Sequence, residues 1–174
     1  MFHLGLKFSA TECNGWPSIH IYIDDDHYET YRFTGSSARL NIPLDLLDGD
    51  HELEIELFGK TDKNTQMSNG KIIQDQLLTI EDIYVDDIKI GDFLKYRGKY
   101  FDVPEGRQAL TFGVNASWKL EFKTPMVSWV IEEQNQITEE KYGSDQRNTY
   151  SKKKDDAILE VLDRIEKKLN DLDI

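Results

Sequence analysis

Strict alternation of apolar and polar residues is what most limits the fold of this chain. Phe2, Leu4, Leu6 and Phe8 stand two apart, and so do Ile19, Ile21 and Ile23. Leu53, Ile55 and Leu57 repeat the spacing, and Trp118, Leu120 and Phe122 repeat it again. Successive side chains of a strand point to opposite faces, so this period buries one face and leaves the other to water. A helix would scatter the same residues around its axis. Turn chemistry separates the segments: Asn14-Gly15 ahead of Pro17, the polar run Asp24 to His27, and Asp48-Gly49. Leu78, Ile80, Ile83, Val85, Ile88 and Ile90 form a further apolar series whose intervening acids fall on a solvated face or in a turn. "YETYRFT" reads as the hairpin partner of "SIHIYID", and "GSSARLNIPLDLL" as a strand followed by a loop. "TDKNTQMSNGK" is too polar for a core strand and reads as a long loop; "LTFGVNASWKLEFKTPMVSWVI" reads as the closing strand or pair of strands. Roughly eight to ten short strands at this turn spacing predict an all-β fold, an antiparallel β-sandwich of jelly-roll type.

The pattern stops after Ile131. Residues 1–131 are the expected sandwich domain, and 132–154 are polar, charged and poor in apolar groups, which predicts an extended linker. A different period begins at Asp155. Ile158, Leu162, Ile165, Leu169 and Leu172 are spaced alternately four and three apart, the a/d seam of a coiled coil, over a C-terminal amphipathic helix 155–174. Asp155 and Asp156 suit the positive end of the helix dipole, and Glu160 with Arg164 is a favourable i,i+4 pair. Leu at a with Ile at d favours more than two strands, so self-association through this helix predicts a trimer. The alternatives are docking into a partner protein and packing back on its own domain.

Charge narrows the partners. The chain has 174 residues and a formal net charge of −12, which disfavours phosphate backbones and anionic membranes and favours cations or basic surfaces. No apolar run approaches the ~20 residues that cross a bilayer as a helix, and the N-terminus lacks the basic and apolar regions of a signal peptide. Synthesis in the cytosol and no membrane or nucleic-acid partner are the expectations. Cys13 is the only cysteine and cannot form an intramolecular disulfide.

Catalytic signatures are absent: there is no G-x-S-x-G, no H-E-x-x-H and no phosphate-cradling glycine loop. The expectation is a non-enzyme. Hard cations such as calcium need several convergent oxygens, and two loops offer them: Asp24 and Asp26 beside Asp25 and His27, and Asp62, Asn64 and Asp75 around "TDKNT". A solvated turn is the simpler reading of either cluster. His3, His20, His27 and His51 lack zinc spacing. Among the aromatics, Trp118 alternates with core residues, whereas Trp16, Tyr96 and Tyr100 fall in loop-like segments and are the candidate glycan or protein contacts.

Three segments, "DGDHELEIELFGKTDKNT", "DQLLTIEDIYVDDIKI" and "NASWKLEFKTPMVSWV", resemble poorly characterised tailed-bacteriophage proteins. In those a Gly-x-His-x-Leu-x-Ile strand runs into a Lys-Thr-Asp loop, and a Trp-x-Leu-x-Phe-x-Thr-Pro strand closes the domain. The resemblance covers roughly 48–131 and implies a virion-associated structural or adaptor protein of the neck, tail, baseplate or fibre, bound to other virion proteins through the terminal helix. The sandwich is also similar to carbohydrate-binding modules in which a loop calcium helps present sugar-binding groups. That likeness implies the alternative, a glycan-binding module for host attachment. Neither resemblance supplies site residues.

Overall fold

The computed structural model describes residues 2–86, 88–90, 97–101 and 110–142. By its internal contacts the chain divides into Met1–Ile131 and Glu132–Ile174. The first unit is an antiparallel β-sandwich of two five-stranded sheets.

Strands β1 (Phe2–Thr11), β4 (Ser37–Leu44), β8 (Leu77–Val85), β9 (Ile88–Lys89) and β11 (Thr111–Phe112) form the first sheet, in the order β11-β8-β1-β4 with β9 hairpinned onto β8. Strands β2 (Ser18–Ile23), β3 (Asp26–Arg32), β5 (Gly49–Phe58), β10 (Lys99–Phe101) and β12 (Ala116–Thr124) form the second, in the order β10-β12-β5-β2-β3. Every pairing is antiparallel. Leu4, Leu6, Phe8, Ile42, Leu78, Ile80 and Phe112 from one inner face meet Ile19, Ile21, Leu53, Ile55, Leu57, Trp118, Leu120 and Phe122 from the other, all nearly inaccessible to water. The alternating residues of the sequence are this core.

The step of three from Ile80 to Ile83 has a local cause. The β1–β8 register shifts there, Lys7 facing Asp82 and Phe8 facing Ile80, so Glu81 is an extra residue. Such a bulge returns the next apolar residue to the buried face, and Ile80 and Ile83 are both buried. Asp24 and Asp25 both have positive φ, 53° and 65°, and join Ile23 to Asp26 as a two-residue hairpin turn. Asp tolerates that conformation better than most residues, which explains an acidic turn without any ligand.

Two expectations change. "TDKNTQMSNGK" is not a plain loop: a 3-10 turn (Asp62–Asn64) leads into β6 (Thr65–Ser68), which hairpins with β7 (Lys71–Asp75). Asn69 and Gly70 at its tip have φ of 51° and 74°, the conformation that Asn-Gly supplies most readily. "MVSWVI" is not a strand either. Helix α1 (Met126–Tyr142) starts directly after β12 and runs through 132–142, where a linker was expected. Met126 and Trp129, one helical turn apart, are buried, and the Trp129 ring meets Phe122 edge-on at 6.3 Å. The expected linker beyond 142 and the seam of Ile158, Leu162, Ile165, Leu169 and Leu172 lie outside the described residues.

Candidate functional site

The second sheet turns an unusual set of side chains to its outer face. On β5, with Leu53, Ile55 and Leu57 inward, Glu52, Glu54, Glu56 and Phe58 must point outward. The cross-strand register then places Ser117 and His20 on either side of Glu56, Phe101 beyond Ser117 and Thr30 beyond His20. This row of Phe101, Ser117, Glu56, His20 and Thr30 crosses all five strands. From Phe101 to His20 it spans three strand spacings, about 14 Å.

Its rings are organised by contact. His20 lies flat on Phe58, centroids 3.8 Å apart and planes 6° from parallel. His27 stands edge-on to both His20 and Tyr22, at 5.4 and 5.5 Å. His20 Nδ1 and His27 Nε2 share the Thr30 hydroxyl at 2.8 and 2.9 Å. That hydroxyl has a single proton, so it donates to at most one ring. Phe101 is 45% exposed, with the Lys119 ammonium 5.6 Å from its centroid.

Glu56 accepts a hydrogen bond from the Tyr22 hydroxyl at 3.2 Å. Burial, then the Glu56 charge and hydrogen bond, push the Tyr22 pKa up. The neighbouring carboxylates are engaged differently. Lys119 Nζ donates to Glu52 at 2.6 Å and bridges to Glu54 at 3.1 Å. The hydrogen bond to Glu52, with that to Glu54, holds the Lys119 pKa well above its ordinary value. Carboxylate oxygens of Asp25, Glu52 and Glu54 lie within 4.8 Å of one another. Three hard oxygens suit calcium, but the Lys119 ammonium already supplies positive charge to two of them.

A clasp closes the adjoining end of the sandwich. His51 Nδ1 meets Asp24 Oδ2 at 2.7 Å, and His51 Nε2 meets the Leu47 carbonyl at 2.8 Å. Both ring nitrogens face acceptors, which is the arrangement of an imidazolium. Burial opposes that charge, but the hydrogen bonds to Asp24 and Leu47 and the charges of Asp24 and Asp50 outweigh it, and the His51 pKa is raised. The Asp24 pKa is lowered: burial opposes this too, and the His51 bond and the Glu52 backbone N–H prevail. Thr124 Oγ1 lies 3.1 Å from His51 Nε2, so Asp24, His51 and Thr124 have the connectivity of a catalytic triad. The chemistry is not that of a nucleophile. Thr124 donates its proton to the Leu47 carbonyl and accepts from Gly49 N and His51, so no base among the described residues is placed to take that proton.

The sequence-level candidates are dispersed. Asp24 is held by His51, and Asp26 is exposed at the start of β3. Asp62 is exposed, whereas Asn64 is buried, its amide donating to the Cys13 carbonyl at 2.9 Å and its oxygen accepting from Thr61 N at 2.9 Å. Asp75 accepts from Lys60 Nζ and Thr65 Oγ1, both at 2.6 Å, and Lys60 also donates to the carbonyls of Gln76 and Gly113. Burial raises the Asp75 pKa, but the Lys60 and Thr65 bonds outweigh it and the pKa is lowered. The cation at the "TDKNT" loop is therefore the chain's own lysine, and the node anchors the β6–β7 hairpin. Trp16 is half-buried beside the Asn14-Gly15 turn. Tyr100 faces inward: it meets Phe112 edge-on at 5.0 Å, and its hydroxyl is buried. Burial pushes its pKa up. The outward residues of that strand are Lys99 and Phe101. Tyr96 lies outside the described residues.

No protein-family model matches this sequence, and no curated protein does. Two solved structures are similar in fold. One, described as vCBM60 in complex with galactobiose, shares 10% identity at a TM-score of 0.45, over 68% of this chain and 96% of its own. The other, the selenomethionine form of vCBM60, is described with a circular permutation that links two families of calcium-dependent carbohydrate-binding modules. It shares 9% identity at a TM-score of 0.47, over 69% of this chain and 90% of its own. Neither transfers a role to any residue here.

Proposed function

We propose that this chain is a non-catalytic recognition module that binds a saccharide across the outer face of β10, β12, β5, β2 and β3. The observation that carries this reading is the row of Phe101, Ser117, Glu56, His20 and Thr30, with Phe58 stacked under His20. Rings offer flat apolar surface to the C–H face of a pyranose, while a carboxylate, hydroxyls and imidazoles exchange hydrogen bonds with its hydroxyls. A protein anchor would call for a deep apolar pocket; this surface alternates π-faces with acceptors. Phe101 and the stacked His20–Phe58 pair flank Glu56, so a short oligosaccharide laid across the strands touches both.

Calcium has a separate place in this reading, at Asp25, Glu52 and Glu54, and binding there requires Lys119 to swing away. Sugar binding at the row is accordingly expected to survive a chelator. A glycan array followed by calorimetric titration of the full chain tests the proposal. The expected result is binding that falls at least tenfold in Phe101→Ala, and a flat array would sink it.

A second reading is a structural or adaptor role in a tailed-phage particle. It is favoured by the heptad seam of Ile158, Leu162, Ile165, Leu169 and Leu172 and by the resemblance of 48–131. Under it the terminal segment docks into virion proteins or trimerises, and the protein resides in the virion. A chain ending at Ile131 should then stay folded but fail to enter particles; normal incorporation would refute it. The readings are compatible, the first describing what is recognised and the second how the module is carried.

A further inference from the structure

We infer that the saccharide taken by this face carries a free amino group, as a glucosamine-type oligosaccharide does. The inference rests on the saccharide reading above and names the substrate class within it. Its basis is where the charges go. The central strand β5 and its neighbour β12 turn five carboxylates outward, Asp50, Glu52, Glu54, Glu56 and Glu121, against two ammonium groups, Lys119 and Lys123. Lys119 is spent on Glu52 and Glu54, and Lys123 reaches Asp50 at 3.1 Å, at the far end of β5 from Glu56. Glu56 lies in the middle of the ring-bearing row, and its hydrogen bond there comes from a neutral phenol, Tyr22.

A half-buried carboxylate with no cationic partner among the described residues costs free energy that a ligand ammonium repays through a charge-assisted hydrogen bond. A sugar hydroxyl repays less, and a sugar carboxylate or sulfate adds repulsion. The rings favour the same choice. An ammonium is attracted to a π-face, and Lys119 already stands over Phe101 in that way. A ligand amine on Glu56 would sit between Phe101 on one side and the His20–Phe58 stack on the other. This geometry selects a ring that is apolar on its faces and cationic at one substituent, which describes an amino sugar. A basic peptide shares the charge but lacks the rigid ring.

The test titrates the full-length protein with matched oligosaccharides of glucosamine, of N-acetylglucosamine and of the corresponding uronate, and with oligolysine. The pH is set below the pKa of the sugar amine and above those of the carboxylates. The expected order is glucosamine tightest, about tenfold over its N-acetyl counterpart at low salt. The difference should close near 1 M salt, where the screening length falls to about 3 Å. Glu56→Gln should weaken both sugars and erase the difference between them, and the uronate should not bind. An N-acetyl sugar that binds as tightly, a uronate that binds, or oligolysine matching the amino sugar would each overturn the inference. If the neutral and amino sugars all fail to bind, the saccharide reading falls with it.

Discussion

The two outer faces of the sandwich are made by the same alternation and carry opposite chemistry. On the first sheet the outward residues include Lys7, Ser9, Arg39, Thr79 and Thr111. Most of their polar groups are used within the face. Ser9 donates to Glu81, Thr79 bonds Thr111 at 2.8 Å, Lys89 pairs with Asp82 at 2.9 Å, and Arg39 covers the ring of Tyr84 at 4.6 Å. Gly5, in the middle, leaves room for that ring, since a Cβ there would lie 3.1 Å from the Tyr84 Cβ. The second sheet instead presents His20, Tyr22, His27, Phe58 and Phe101 around a carboxylate with no cationic partner among the described residues. The inward residues of a sandwich decide that it folds; the outward ones, free of that demand, decide which face has something left to offer a ligand.

The sharpest way to strain the comparison is through the two lysines that hold carboxylates. Lys60 is almost inaccessible, with a side chain 7% exposed and three protein acceptors. Lys60→Met leaves Asp75 without its cation and is expected to cost about 3 kcal/mol in a denaturant titration. Lys119 is 22% exposed on the outer face, and Lys119→Met is expected to cost about 1 kcal/mol or less. It also leaves Glu52 and Glu54, beside Asp25, without that ammonium, so millimolar calcium should raise the melting temperature of the variant more than that of the parent. Equal losses for the two lysines would mean that burial does not distinguish the nodes.

Next in size is the effect on binding. Phe58→Ala removes the ring under His20 and is expected to weaken saccharide binding about tenfold, whereas Arg39→Ala and Thr79→Ala on the opposite sheet leave it unchanged. Loss from the first-sheet variants would move the site to that face. Gly98→Ala is subtler: a Cβ there would stand 2.1 Å from the Trp118 ring. β10 must lift away, taking Phe101 with it, so binding should fall several-fold while the β5–β12 amide signals in NMR stay put.

The smallest effect belongs to the His51–Asp24 clasp. The raised His51 pKa contributes stability fully present below the ordinary histidine value of 6.5 and lost as pH rises through the folded value. The lowered Asp24 pKa contributes stability present above the ordinary 3.8 and lost as pH falls through its folded value. The clasp is thus strongest between about pH 4 and 6.5. Asp24 is 42% exposed, so screening should keep the effect under about 1 kcal/mol. Stability measured from pH 5 to 9 should decline less in His51→Gln than in the parent; parallel curves would show that the imidazolium does not hold the end of the sandwich.

The residue series on β1, β2, β5 and β12 was legible because burial on one face of a sheet imposes a period of two whatever the neighbours are. Turns were legible wherever φ had to be positive, at Asn14-Gly15 and at Asp24-Asp25; the same signal at Asn69-Gly70 marks a hairpin hidden by its polar strands. The step from Met126 to Trp129 marks helix α1, but the preceding strand pattern masks it. Local periodicity or a single backbone conformation is therefore enough to dictate the sandwich, its inward residues and most of its turns. The folded arrangement of the strands, by contrast, decided that Glu56, His20 and Phe101, far apart in the chain, share one row. It also decided that Tyr100 faces the core while its neighbour Phe101 faces out, and that Lys60 rather than an ion answers Asp75. Strand order and register set those neighbours, and both come from long-range packing that no local pattern encodes.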